Sequence, residues 1–305
     1  MDVLEIIVPI FAAIFLGVLA RKRSIITPEE NKGLQQFVVK FALPCVLFNS
    51  CLGCNIGMES VSSMLIVFPL ILLTTFCGFK AREKYFPYHN FPFLFTAQES
   101  GMLGIPLLVT LFGADQAYRM GVLDMTQAFI AIPVMAILTA MDAKKQSVGD
   151  IVKKVLTSPL LLMSVLGLAL NLSGIAEYLN NLGIGNIITG TTNFLAQPVN
   201  AVILFSIGYN FTLNKENMGR IVKICAIHTA VFALLCLVAE GILFMLPGVD
   251  VRTRWAVLIY YALPSSFLTP GLGRTQEDYE VASGVCSLQT VLCLIIFCIL
   301  AVVAV

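Results

Sequence analysis

An ionisable residue inside an apolar run is costly to bury, and Glu99 stands in one: "FTAQESGMLGIPLLVTLFG", Phe95 to Gly113. Isolated carboxylates near a bilayer centre usually mark ion or proton pathways. Glu99 is therefore a candidate proton- or cation-coupling group; the alternative is that it neutralises a cation such as Lys40. Gln98 and Ser100 flank it, and Gly101, Gly104 and Pro106 follow. Pro106 lacks the backbone N–H a helix needs and its ring presses on the preceding turn. The glycines add freedom and remove bulk. Together they predict two half-helices, with the half beginning near Pro106 turning its unpaired N–H groups and positive dipole end toward a cavity. Such an end suits an anionic group, typically a carboxylate. The plainer alternative is that the prolines kink packed helices.

A second interrupted stretch, "PSSFLTPGLG" from Pro264 to Gly273, is expected to act likewise, with Ser265, Ser266 and Thr269 supplying hydroxyls. The sequence leaves open whether Pro264 or Pro270 marks its break. Asp124 and Gln127 are three residues apart, hence on one helical face. Both could reach the same cavity, or Asp124 could be solvated nearer the outer end. Asn49 follows Pro44, while Gln197 and Asn200 bracket Pro198. These amides either complete the site or bond across helices, and a site role is favoured for Asn49 and Asn200. Gln289 is a possible counterpart of Gln127. His228 is read as packing or bonding a backbone carbonyl, and Glu5 and Glu240 lie toward segment ends.

No catalytic constellation accompanies these residues. His89 and His228 are far apart, and there is no G-x-S-x-G, Walker loop or H-E-x-x-H. Most of the nine cysteines lie in apolar runs, where they act as small hydrophobes. Cys51 and Cys54 form a lone C-x-x-C without the second pair or histidines a metal site needs. Neither an enzyme nor a cofactor or metal is expected.

Positioning these groups requires a membrane protein. Of 305 residues, 58% are hydrophobic and 12% charged, with a mean hydropathy of +0.90. Soluble domains run at roughly 45–50% and about 25%. A net charge of +1 gives no reason to expect nucleic acid. The N-terminal apolar stretch carries Asp2 and Glu5 before it and its basic cluster after it, the reverse of a signal peptide, so it is read as a retained first span. A span takes about 20 apolar residues. Ten stretches qualify: 3–20, 33–52, 60–79, 92–112, 117–140, 154–172, 187–211, 219–246, 254–272 and 279–304.

Basic residues accumulate in cytoplasmic loops. One alternate set of loops holds Arg21, Lys22, Arg23 and Lys32; Lys80, Arg82 and Lys84; Lys144, Lys145, Lys153 and Lys154; Lys215, Arg220 and Lys223; and Arg274. The opposite loops hold only Arg119, Arg252 and Arg254. Both termini are therefore expected on the non-cytoplasmic face. The longest polar connection divides the chain into a first repeat (1–141), a cytoplasmic linker (142–153) and a second repeat (154–305) within one membrane domain. Five spans per half is odd, so the second half must enter the membrane inverted, and paired interrupted segments in such halves point to a transport site.

Taken with "LP" in the second span, "GMLGIPLL" and "LFG" in the fourth and "LPSS" in the ninth, the whole chain resembles the auxin efflux carrier family, as a bacterial-type permease. The resemblance implies an all-α fold of two inverted five-helix repeats, with helices 4 and 9 broken and crossing. Relatives move small organic anions, auxin in plants and dicarboxylates such as malate or malonate in bacteria, by movement of one bundle against a scaffold. Glu99 stands where family members often carry Asn. The function expected is a secondary transporter of a small organic anion in the plasma membrane, coupled to protons or cations through Glu99 and Asp124. A cation or proton exchanger of related fold is the alternative. The partners expected are the anion and membrane lipid, with a homodimer left open.

Overall fold

The computed structural model describes residues 3–53, 58–140, 153, 157–211 and 217–304. It is 84% helical. Helix α1 spans Val3–Lys22 and α2 spans Pro28–Leu52. A capping box opens α2: Glu30 N–H donates to Thr27 Oγ1 at 3.2 Å and Thr27 N–H to Glu30 Oε2 at 2.7 Å, with Pro28 in the first turn. Then follow α3 (Met58–Lys84), a single turn α4 (Phe91–Leu94), α5 (Ser100–Phe112) and α6 (Ala117–Ala140). The second part holds α7 (Pro159–Leu172), α8 (Ile175–Asn181), α9 (Ile184–Ala196), α10 (Val199–Asn210), α11 (Met218–Met245), α12 (Val251–Ala262) and α13 (Gln276–Ala304). Short 3-10 turns occupy Ala114–Gln116 and Thr269–Leu272.

Helical segments fall on all ten expected stretches, with informative differences. The seventh is two helices, α9 and α10, separated at Gln197 and Pro198. The sixth begins at Pro159 and is followed by α8 after a bend of 78°. Among the described residues four helices (α2, the 60–84 part of α3, α11 and α13) are long and apolar enough to cross a membrane, or five if the bent pair is one span. The central connection, where the halves were expected to divide, and Cys54 lie outside the described residues, apart from Lys153.

Two π turns share one cause. Val38–Ala42 precedes Leu43 and Pro44, and Ser100–Gly104 precedes Ile105 and Pro106. Leu43 N–H bonds Val38 O and Ile105 N–H bonds Ser100 O, each five residues back. A proline ring collides with the carbonyl four residues earlier. Widening the preceding turn by one residue moves that carbonyl aside and lets the helix continue.

The distribution of polarity is that of a protein solvated by lipid. Phe15, Leu65, Leu237 and Ile299 are exposed, while Gln98, Glu99, Ser100, Gln127, Ser265 and Gln289 are buried. Unpaired backbone cannot face hydrocarbon, so buried polar residues collect where helices are interrupted. Close packing relies on glycine. Helices α1 and α10 meet through Gly17 and Gly208, where a Cβ would lie 1.9 Å from the Phe205 and Ile14 carbonyl oxygens respectively. Helix α7 approaches α2 at Gly167, whose Cβ would lie 2.5 Å from Phe48 O.

Candidate functional site

Two interrupted segments meet at the centre of the helical bundle. After a turn at Phe95 and Thr96 the chain between α4 and α5 opens out over 97–99, and the chain does the same over 264–266 after α12. There Gln98 and Ser265 form an antiparallel bridge. Glu99 N–H donates to Pro264 O and Ser266 N–H to Ala97 O, both at 2.9 Å. These bonds use the inner edges of the two extended segments. Their outer edges carry further backbone groups that burial forbids leaving unpaired.

Two glutamine amides meet that need. Gln127 on α6 accepts Gln98 N–H at 2.8 Å and donates to Gln98 O at 2.9 Å. A primary amide offers both a donor and an acceptor, so its side chain can stand in for a neighbouring strand. Tyr260, on α12, donates its hydroxyl to the same Gln127 oxygen at 3.0 Å. On the other edge Gln289 of α13 accepts Ser265 N–H at 2.9 Å. The sequence suggested Gln289 as the counterpart of Gln127, and the two occupy matching places against the bridge.

Glu99 is buried, and its groups hold the junction together. Its carbonyl accepts Leu103 N–H (3.1 Å) and Gly104 N–H (3.0 Å), and its carboxylate accepts Phe267 N–H at 2.6 Å from the opposite segment. Met102 N–H and the Ser266 hydroxyl are further partners of that carboxylate. The break therefore lies at residues 95–99, not at Pro106, and the half-helix begins at Ser100. Glu99 occupies the helix start whose N–H groups were expected to face substrate. Pro106 sits inside α5, behind the π turn that accommodates it. Lys40 is exposed and is not among the partners of Glu99.

Ser100 donates its hydroxyl to Asp124, and Gln127 Nε2 reaches Ser100 Oγ at 2.6 Å and Asp124 Oδ1 at 3.0 Å. Asp124 is half-buried and turned to the junction. A Cβ on Gly104 would lie 2.8 Å from Leu263 Cδ1 and 3.0 Å from Met120 Sδ, so this glycine brings α5 close to the second break. Pro264, whose carbonyl takes Glu99 N–H, marks that break; Pro270 lies in the later 3-10 turn. Ser265 Oγ donates to Leu94 O (2.7 Å) and Thr269 Oγ1 to Ser266 O (2.6 Å), so neither presents a free hydroxyl proton.

Asn49 and Asn200 bond elsewhere. Asn49 Nδ2 donates to Asn193 Oδ1 (2.8 Å) and its Oδ1 accepts from Thr192 (2.5 Å), both on α9. Asn200 Nδ2 reaches Thr110 Oγ1, on the far half of α5, at 3.5 Å. Their amides act as interhelical glue, the alternative open from sequence. His228 stacks on Phe232 at 4.0 Å and bonds the Leu94 carbonyl. Glu240 pairs with Arg254 at 2.9 Å.

The sequence reading missed three contributors. Tyr260 supports Gln127. Asp278, buried, accepts His89 N–H (3.2 Å), Arg274 N–H (2.9 Å) and Thr275 N–H (3.1 Å), and Asn90 bridges Thr269 O and Asp278 O at 3.1 Å each. A signal for Asp278 existed: Thr275-x-x-Asp278 is a capping pattern, and Asp278 N–H does bond Thr275 Oγ1 at 3.0 Å. Arg119 pairs with Asp250 at 2.8 Å, donates to Gln116 at 2.8 Å and also bonds Thr253, tying the start of α6 to the start of α12.

An all-helical chain with helices of membrane-crossing length, an apolar exterior and a buried polar junction between interrupted segments defines a multi-pass membrane protein. A family described as membrane transport protein matches residues 2–303, and the chain belongs to that family, the auxin efflux carriers. No curated protein matches it. The chain is thus a membrane-embedded transporter-family protein.

Proposed function

We propose that this protein is a secondary transporter of a small organic anion, working by alternating access in the plasma membrane with substrate bound at the junction of the two breaks. One observation carries the reading: the Gln98–Ser265 bridge lies between segments that run in opposite directions and is closed on both edges by Gln127 and Gln289. On α6, Arg119 and Leu138 are nineteen residues apart. At 1.5 Å per residue that is roughly 28 Å, close to the ~30 Å hydrocarbon thickness. Gln127 lies eight residues from one and eleven from the other, near mid-depth.

The same ruler supports two inverted halves of five spans each, divided within 142–153. His89 Nε2 lies 2.8 Å from Leu138 O, and His89 N–H bonds Asp278, so both residues mark one end of the bundle. From Leu138 back to Gln127 is eleven residues, and from Asp278 forward to Gln289 is again eleven. Helix α6 approaches that end as α13 leaves it. The packing of α1 on α10 and α2 on α7 fits the same exchange, first and second spans of one half against second and first of the other.

Among the described residues, the Gln98 amide and Gln289 Nε2 are buried at the junction without a partner. Their N–H donors are suited to a carboxylate. Glu99 and Asp124 would carry the coupling proton or cation, since two ionised acids beside an anion would repel it. The absence of a guanidinium here (no Lys or Arg bonds either acid among the described residues) favours one carboxylate over two. It equally supports a second reading, a cation or proton exchanger. Reconstitution into proteoliposomes separates them: saturable counterflow of an organic acid is expected, whereas ion current without added organic substrate would establish the exchanger. The cytoplasmic side would be the end bearing Arg82, Arg220 and Arg274, leaving both termini outside. A homodimer is compatible with this arrangement.

A further inference from the structure

The end of the bundle marked by His89 and Asp278 holds a cavity of about 690 Å³, separate from the junction by some 16 Å along α6 at 1.5 Å per residue. Its wall draws cations from three different connections. Arg82 comes from the last turn of α3, Arg220 and Lys223 from the start of α11, and Arg274 from just before α13. These belong to loops that the basic-residue distribution places on one side. Two acids share the wall. Asp278 already accepts three backbone N–H groups, and Glu277 is paired with Arg220. Lys223 Nζ lies 5.4 Å from the Phe86 ring centroid, which keeps the ammonium against the rim. His89 also lines the cavity; it is 6% exposed and its Nδ1 is buried without a partner. Guanidinium groups converge on phosphate because their forked donors match its oxygens. Basic pockets between membrane helices on the cytoplasmic side are places where anionic headgroups seat.

We propose that this cavity binds a phosphate group, supplied either by the headgroup of an anionic phospholipid or by a soluble phosphate compound, at a site distinct from the transport junction. Four cations from three connections would draw together around it, so occupancy would restrain the ends of α3, α11 and α13. Membrane lipid would then act as a ligand of a defined site as well as a solvent.

The test uses full-length protein purified in a neutral detergent. One arm adds phosphatidylglycerol or phosphatidylcholine and follows retained lipid by native mass spectrometry; the other adds inorganic phosphate or pyrophosphate and follows melting temperature. Retention of phosphatidylglycerol over phosphatidylcholine assigns the lipid source, and a saturable rise in melting temperature with pyrophosphate assigns the soluble one. In either case Arg82→Gln with Arg274→Gln is expected to weaken binding about fivefold per cation removed, while Arg252→Gln, exposed at the other end, leaves it unchanged. Should the double variant fail to fold, Lys223→Gln on the exposed face of α11 serves instead. Binding of neither probe, or equal loss in Arg252→Gln, would overturn the proposal.

Discussion

Gln98 and Ser265 lie 167 residues apart in the chain and face each other as an isolated antiparallel bridge inside an otherwise helical protein. Each has its outward backbone N–H taken by a glutamine side chain, Gln127 at 2.8 Å and Gln289 at 2.9 Å. A helix breaks cheaply in water and expensively in lipid, because every freed N–H and C=O needs a partner. Here the partners come from the other break and from two amides.

The first expectation concerns those amides. Gln127→Leu leaves both Gln98 N–H and Gln98 O unpaired in a buried setting. Each orphaned group costs about 1–3 kcal/mol, so a loss of roughly 2–6 kcal/mol is expected for the two. Gln289→Leu orphans only Ser265 N–H among the bonds described and should cost about half as much. Thermal melts of the two variants check the order; a larger loss for Gln289→Leu would reject the edge-pairing account.

Glu99→Gln tests coupling. Glutamine keeps the length of the side chain and an oxygen for Phe267 N–H, so folding and membrane expression should persist. Uptake should lose its dependence on pH, and Asp124→Asn should reduce it through the bonds to Ser100 and Gln127. A Glu99→Gln transporter whose pH profile matches that of the unaltered protein would end the coupling role.

Much of the architecture was legible from pattern alone. Hydropathy located the helical stretches, and Pro44, Pro106 and Pro264 flagged irregular backbone. Gln127 and Asp124 were found because three-residue spacing puts them on one helix face. What remained hidden was tertiary. Pro106 was read as the break because a proline obstructs a helix, yet a one-residue widening at Ser100–Gly104 absorbs it. The break moved upstream to where Pro264 O and Ala97 O supply backbone partners. Asn49 and Asn200 looked like site residues because they adjoin prolines, but proximity in sequence to a break says nothing about which helix face an amide occupies. Arg119 was invisible as an anchor because Asp250 lies 131 residues away, and the Thr275-x-x-Asp278 pattern pointed to a local cap but not to His89, 189 residues from Asp278.

Pro106→Ala now carries a different expectation from simple closure of a gap. With an N–H restored at position 106, the π turn can tighten to α-helical register. That would rotate Ser100 by about one residue, near 100°, relative to the rest of α5. Ser100 would leave Asp124, and transport should fall severalfold while expression holds. Uptake at the unaltered rate would show that the π turn has no part in transport.

His89 makes stability pH-dependent outside the transport junction. Burial holds its imidazole below the usual value near 6.5, and the Arg274 and Arg82 guanidinium groups act in the same direction, against the Leu138 carbonyl and Asp278. The unfolded chain therefore takes up the proton first as pH falls. Its contribution is complete above about pH 6.5 and is lost progressively below it, toward the lower value of the folded state. Melting temperature should be level from pH 8 to 7 and decline beneath 6.5. His89→Gln, which still offers a donor to Leu138 O, should remove part of that decline; an identical slope would assign it to other groups.

Two glycine substitutions separate packing that can yield from packing that cannot. A Cβ at Gly104 meets Leu263 Cδ1 at 2.8 Å and Met120 Sδ at 3.0 Å, the ends of flexible side chains. Gly104→Ala can push these aside, and the gain in helix propensity, about 1 kcal/mol, offsets much of the strain. A Cβ at Gly208 would meet the Ile14 carbonyl oxygen at 1.9 Å and Ile14 C at 2.7 Å. Those atoms belong to the backbone of α1, and they can retreat only if the whole helix moves from α10. Overpacking of this kind costs about 1–3 kcal/mol or more, so Gly208→Ala should lower yield and melting temperature well below Gly104→Ala. Equal melts for the two variants would mean that α1 is free to shift, and that α1 and α10 do not form a fixed joint of the scaffold.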